Sequence, residues 1–136
     1  MKLIAVLDNA GGMLFNQRRQ SQDRILREHI LTKFQPEKLW MNAFTFDQFS
    51  ECDAPCICVS ESCLEEASEG DYIFIENLPA SEYLDKIEQI ILYKWNRDYP
   101  ADFYFDLSLE NWKLSTIEEF PGYSHELITE EIYDRI

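Results

Sequence analysis

Glycine is scarce in this chain: four in 136 residues, beside five prolines and no repeat period. Collagen, propellers and solenoids are thereby excluded. Cations are scarce as well. Lys and Arg number 12 against 26 Asp and Glu, a formal charge of −14. Such a surface repels nucleic-acid backbone and anionic membrane, so neither is an expected partner. No run approaches the roughly 20 apolar residues that cross a bilayer. The run Leu3-Ile4-Ala5-Val6-Leu7 stops at Asp8, too short for a signal-peptide core and without its cleavage site. The expectation is a soluble, cytoplasmic protein. Histidine is limited to His29 and His125, far apart and without partners at ligand spacing, so no metal is expected. The four cysteines, Cys52, Cys56, Cys58 and Cys63, are spaced C-x3-C-x-C-x4-C. That spacing lacks the C-x2-C knuckles of structural zinc sites; reduced, packed thiols are expected.

Apolar residues are plentiful, 46% of the chain with 14% aromatic. That suffices for one core, and no linker-like stretch divides it, so residues 1–136 read as a single domain. Residues 2–8 read as a buried strand. Gly11-Gly12 opens a loop to about Gln20. Ser21 is the expected N-cap of a helix reaching Phe34, with Asp23 in its first turn and Ile25, Leu26, Ile30 and Phe34 on the apolar side. Pro36 stops it. Short strands follow at 39–41, 54–59 and 72–75, with a short helix at 45–49, an acidic helix from Ser60 to Ala67 and another helix after Pro79. Residues 90–95 and 112–120 read as strands, and 125–135 fit an edge strand or a surface helix equally. Strand–helix units followed by strands imply a three-layer αβα fold, with a mainly parallel twisted sheet and antiparallel C-terminal strands.

Charge is segregated. From Asp47 to Glu88 there are twelve acids and one cation, whereas Arg18 to Lys33 holds five cations and two acids.

The opening strand, the Gly12-Met13 loop and the helix beginning Gln22-Asp23-Arg24 resemble the start of dihydrofolate reductase. Met41-Asn42-Ala43-Phe44-Thr45-Phe46 resembles that family's M-G-R-x-T-W segment, and residues 89–112 its late strand, D-x-x-F element and following tryptophan. The resemblance implies a shortened, divergent member in which Asp23 matches the carboxylate that binds and protonates the pterin. It also implies NADPH as cofactor, but the phosphate-gripping arginine is here Ala43. The glycine pair that approaches the cofactor is replaced by Glu76-Asn77, and the late-strand threonine by Tyr93. The segment between Val59 and Tyr72 is too short for the strand and helix that cradle adenosine. Each lost charged contact to phosphate removes roughly 1.5–3 kcal/mol. No cofactor is therefore expected. Similar small bacterial proteins carry the label ribonuclease Z, but the H-x-H-x-D-H cluster of such zinc hydrolases is missing, so that activity is not supported.

The candidate binding residues are Arg18, Arg19, Ser21 and Arg24, where arginines meet a helix N-terminus suited to an anion, with Phe44 and Thr45 from the matched segment. The bland alternative is a surface helix whose arginines pair with acids. Asp23 is the candidate catalytic acid; an Asp there also favours the helix dipole without any chemistry. His29 is expected to pack and His125 to be solvated. The leading expectation is a non-catalytic binding or regulatory protein for an anionic, nucleotide-like molecule. The alternatives are a divergent pterin- and NADPH-dependent reductase with Asp23 as proton donor, and an acidic protein-interaction module.

Overall fold

A computed structural model describes residues 1–136. Strand β1 (Lys2–Leu7) lies centrally in a seven-stranded sheet. Aliphatic residues on both of its faces fit that place: Leu3, Ala5 and Leu7 enter one core, Ile4 the other. Parallel neighbours are β6 (Tyr72–Phe74) and β7 (Gln89–Lys94). Beyond β6 come β4 (Leu39–Met41) and the edge strand β5 (Ile57–Val59), also parallel. On the other side, β10 (Ile128–Arg135) runs antiparallel to β7, and β9 (Trp112–Phe120) closes the sheet antiparallel to β10. The ambiguous C-terminal segment is thus a strand. Its alternation of Ile128, Glu130 and Ile132 inward satisfies a strand pairing on both edges, which a helix could not.

Helix α1 (Arg24–Phe34) buries Leu26 and Ile30 against one face of the sheet. The same face receives α2 (Ala43–Phe46) and the 3-10 turn Asp47–Phe49. The opposite face is covered by α3 (Cys63–Glu66) and chain that includes Ala80, Ile87 and Trp112. The helix expected after Pro79 is a 3-10 helix over Ser81–Lys86 with no buried residue of its own. Cys63 is buried and Cys52 and Cys56 pack on the core; all four thiols are free.

Two local readings are corrected. Residues 12–20 are not a plain loop but a hairpin, β2 (Gly12–Phe15) and β3 (Arg18–Arg19), in a small sheet with β8 (Phe103–Tyr104). Asn16 and Gln17 both take positive φ, 55° and 62°, the conformation of a two-residue turn matched to strand twist. The N-cap of α1 is Asp23, not Ser21: its carboxylate accepts from the N–H groups of Ile25 and Leu26. An Asp caps better when its second oxygen also has donors, and here it does.

Candidate functional site

In open α/β sheets, ligands bind beyond the carboxyl ends of the strands, where neighbouring connections diverge. Here that crevice lies past β1, β6 and β4, bordered by Asp8, Glu76 and Asn42. It is filled. Arg19 reaches across from β3 and donates from Nε and Nη2 to the two Glu76 oxygens, both at 2.9 Å. Nη2 also donates to the Phe44 carbonyl at 2.7 Å, and the guanidinium lies 4.7 Å from the Phe44 ring. Both partners of the ion pair are only 12% exposed. Burial alone would lower the Arg19 pKa, but the hydrogen bonds and charge of Glu76 raise it above its ordinary value. Arg19 is therefore committed within the chain rather than held open for an anion.

The N-terminus of α2 is likewise occupied. The Ala43 N–H donates to the Glu61 carboxylate at 2.9 Å, and the Thr45 N–H to the Asn42 side chain at 3.0 Å. Thr45 is fully buried and its Oγ1 has no partner, so the expectation that it contacts a ligand meets no open surface. Next to the ion pair, Gln20, Gln48, Glu76 and Trp95 close around a cavity of about 10 Å³, room for at most one water.

Asp23 is completely buried and takes six donors. Besides the helix cap, its oxygens accept from the N–H groups of Tyr123 and Ser124, both at 2.9 Å, and from the Ser124 hydroxyl. His125 Nδ1 sits 2.9 Å from Oδ2. Burial works to raise the Asp23 pKa. The Tyr123 N–H, His125 and the N–H groups of Ser124 and Leu26 outweigh it and hold the carboxyl well below the usual carboxylate range. A group held ionised this firmly is a poor general acid at neutral pH. Asp23 thereby ties the N-terminus of α1 to the 121–125 loop.

His125 overturns its expected solvation. It is 3% exposed, stacked on Trp95 at 4.2 Å, with Nε2 facing the hydroxyls of Ser21 at 3.2 Å and Tyr99 at 3.1 Å. The missed signal is modest: a Pro-Gly turn before His125 lets the loop fold back on Asp23. Tyr93 does not join this site. Its hydroxyl donates to Glu130 at 2.8 Å, where His29 Nε2 lies 2.7 Å away and Lys33 bonds both Glu130 and Glu118. His29, Glu118 and Glu130 form a donor set of the kind that takes a metal ion, but the cation among them is the Lys33 ammonium.

Open volume lies off the crevice. A pocket of about 580 Å³ separates α1 from residues 47–53. Arg24 and Arg27 line it on one side and Asp47, Glu51 and Asp53 on the other; only Leu31 and Cys52 are apolar. Arg27 donates from Nη1 to Gln22, while its Nε is buried with no partner. Arg24 packs 4.4 Å from the Tyr123 ring, and Arg18 is exposed on the hairpin. Of the expected binding residues, only Arg24 therefore borders a roomy pocket.

A dihydrofolate reductase from Enterococcus faecalis, solved in complex with NADP(H) and RAB-propyl, superposes with a TM-score of 0.63 over 98% of this chain and 96% of that chain, at 13% identity. The fold is that of dihydrofolate reductase. No protein-family model and no curated protein matches the chain. At the two positions where the sequence resemblance expects the cofactor's approach, the Ala43 N–H is bonded to Glu61 and the Glu76 carboxylate to Arg19.

Proposed function

We propose that the chain is a non-redox binding protein on a dihydrofolate-reductase-like scaffold, and that its ligand occupies the pocket between α1 and residues 47–53. The Arg19–Glu76 ion pair carries this reading. It fills the strand-end crevice with protein groups, and removing either partner would leave a poorly solvated charge. The Glu61 carboxylate at the α2 N-terminus supplies from within the chain the anion that such a terminus attracts. A dinucleotide would have to displace both.

The pocket suits a polar ligand with both signs of charge. Arg24 and Arg27 line one side of it, and their guanidinium groups suit a carboxylate or phosphate. Asp47, Glu51 and Asp53 face them across the pocket and favour an ammonium or guanidinium. A purely anionic nucleotide would meet four carboxylates, Glu28 included, which narrows the expected nucleotide-like ligand to a zwitterion such as an amino acid or short peptide.

Thermal-shift and calorimetric titration with arginine, lysine, γ-glutamyl peptides, pyrophosphate, AMP and NADPH tests this. Zwitterions are expected to raise the melting temperature, and Arg27→Gln to weaken them by about one to two decades. A shift with NADPH and none with the zwitterions overturns the reading. It would favour the second one, a divergent NADPH-dependent reductase, which draws support from the NADP(H) complex of the structural neighbour.

A further inference from the structure

Ser21, His125 and Asp23 form a linear constellation. Asp23 Oδ2 lies 2.9 Å from His125 Nδ1, and His125 Nε2 lies 3.2 Å from Ser21 Oγ. The ionised carboxylate can only accept, so Nδ1 carries the proton and Nε2 presents its lone pair to the serine hydroxyl. We propose that Ser21 is a nucleophile activated by His125 and oriented by Asp23, and that the protein transfers short acyl groups from activated esters or thioesters to Ser21 and then to water.

The surrounding geometry supports chemistry at this serine. Ser21 sits in the connection from strand β3 to helix α1, so its neighbours Gln22, Asp23 and Arg24 present backbone N–H groups that make no hydrogen bond within the chain. The N–H of the residue after the nucleophile is a common donor to the oxyanion. His125 is held from three sides: Asp23 on Nδ1, the Trp95 ring at 4.2 Å, and the Ser124 hydroxyl at 3.2 Å. A ring so fixed needs no reorganisation to accept the proton. The cavity that Ser21 lines, about 10 Å³, holds at most one water, so only the smallest acyl group is compatible with it, seated at its mouth. The acyl portion is therefore acetyl-sized, and the leaving group stays in solvent.

The step balances without a co-reactant other than water. Ser21 Oγ attacks the carbonyl carbon as its proton passes to His125 Nε2. The tetrahedral intermediate collapses, the C–O or C–S bond breaks, and the leaving group takes the proton. Water, deprotonated by Nε2, then cleaves the acetyl-serine ester, releasing acetate and restoring Ser21.

Tyr99 tempers the site. Its hydroxyl is 3.1 Å from the same Nε2, and one lone pair cannot serve two hydroxyls equally well. Removing the competitor should free Nε2 for Ser21. A purely structural network makes the opposite prediction, since losing a partner loosens it.

The test uses p-nitrophenyl acetate with the full chain, following the p-nitrophenolate burst and mapping the acetyl group by peptide mass spectrometry. Native protein should acetylate at Ser21, and urea-unfolded protein should not. Ser21→Ala, whose fold is checked by its melting temperature, should lose the burst. Tyr99→Phe should acetylate at least about twofold faster, and His125→Gln about a hundredfold slower. His125→Gln also removes a loop anchor, so Ser21→Ala and Tyr99→Phe decide the matter. Acetylation confined to lysines, an undiminished burst in Ser21→Ala, or a Tyr99→Phe protein that reacts no faster overturns the proposal. Ligand binding in the α1 pocket is read separately and is indifferent to these outcomes.

Discussion

His125 donates its Nδ1–H to the Asp23 carboxylate across 2.9 Å, although 102 positions separate the two residues. Through this bond the N-terminus of α1 and the loop before β10 become one unit. The same carboxylate caps the helix and accepts from the Tyr123 and Ser124 backbone.

Acidification should destabilise the protein through two carboxylates. Asp23 is held below the usual range, and Glu130 is pulled down to about 2 because hydrogen bonds from His29, Lys33 and Tyr93 outweigh its burial. A depressed folded-state pKa contributes stability above the unfolded value of about 4, lost as pH falls through the folded value. Urea midpoints should therefore hold at neutral pH and fall steadily below about pH 4.5. Glu130→Gln should flatten part of that fall. Equal acid slopes in the two proteins would contradict the assignment.

Arg19→Met should cost about 3–5 kcal/mol, because it strands the Glu76 carboxylate in a poorly solvated crevice. The double change Arg19→Met with Glu76→Leu should recover most of the loss, since a packed apolar pair replaces a buried ion pair at little cost. Denaturant titration of the four proteins of the cycle measures the coupling. Additive losses would mean that the pair does not interact as the distances indicate.

Gly122→Ala places a Cβ 2.7 Å from Asp23 Oδ2, 2.8 Å from the Ile128 methyl and 3.0 Å from the His125 carbonyl. The loop must shift away from Asp23, so a loss of about 1–3 kcal/mol is expected. Amide exchange at Tyr123 and Ser124 should quicken with it. An unchanged exchange rate at both would show that the loop absorbs the methyl without loosening the anchor.

Tyr93→Phe removes the 2.8 Å hydrogen bond to buried Glu130 while keeping the ring. Hydrogen bonds to charged groups contribute about 1.5–3 kcal/mol, which sets the expected loss. The carboxyl of Glu130, followed by NMR, should titrate at higher pH than in the native chain. A carboxyl that titrates where it did before would assign its low value to His29 and Lys33 alone.

Much of the architecture was legible residue by residue. Leu3 to Leu7 and Ile90 to Tyr93 are apolar on consecutive positions, as suits strands buried on both faces, and β1 and β7 lie side by side in parallel register. Strand β9 spans the expected Trp112–Phe120. Helix α1 ends at Phe34 with Gln35 in the left-handed region before Pro36, as the proline required. A mainly parallel sheet followed from these pieces, and the dihydrofolate-reductase-like order from the resemblance of the opening, 41–46 and 89–112 segments.

The candidate site was far less legible, because its partners are distant along the chain. Nothing near Arg19 announces Glu76, 57 positions away, and nothing near His125 announces Asp23. Local pattern reports the period of an element, not which polar groups meet when elements pack. The amino-acid sequence by itself determined the alternation of strand and helix and the excess of acidic residues. Tertiary structure alone decided that Arg19 fills the strand-end crevice, that Asp23 is an anchor aligned with His125 and Ser21, and that open volume lies beside Arg27. Periodicity is a property of neighbours in the chain, whereas pairing buried charges is a property of neighbours in space.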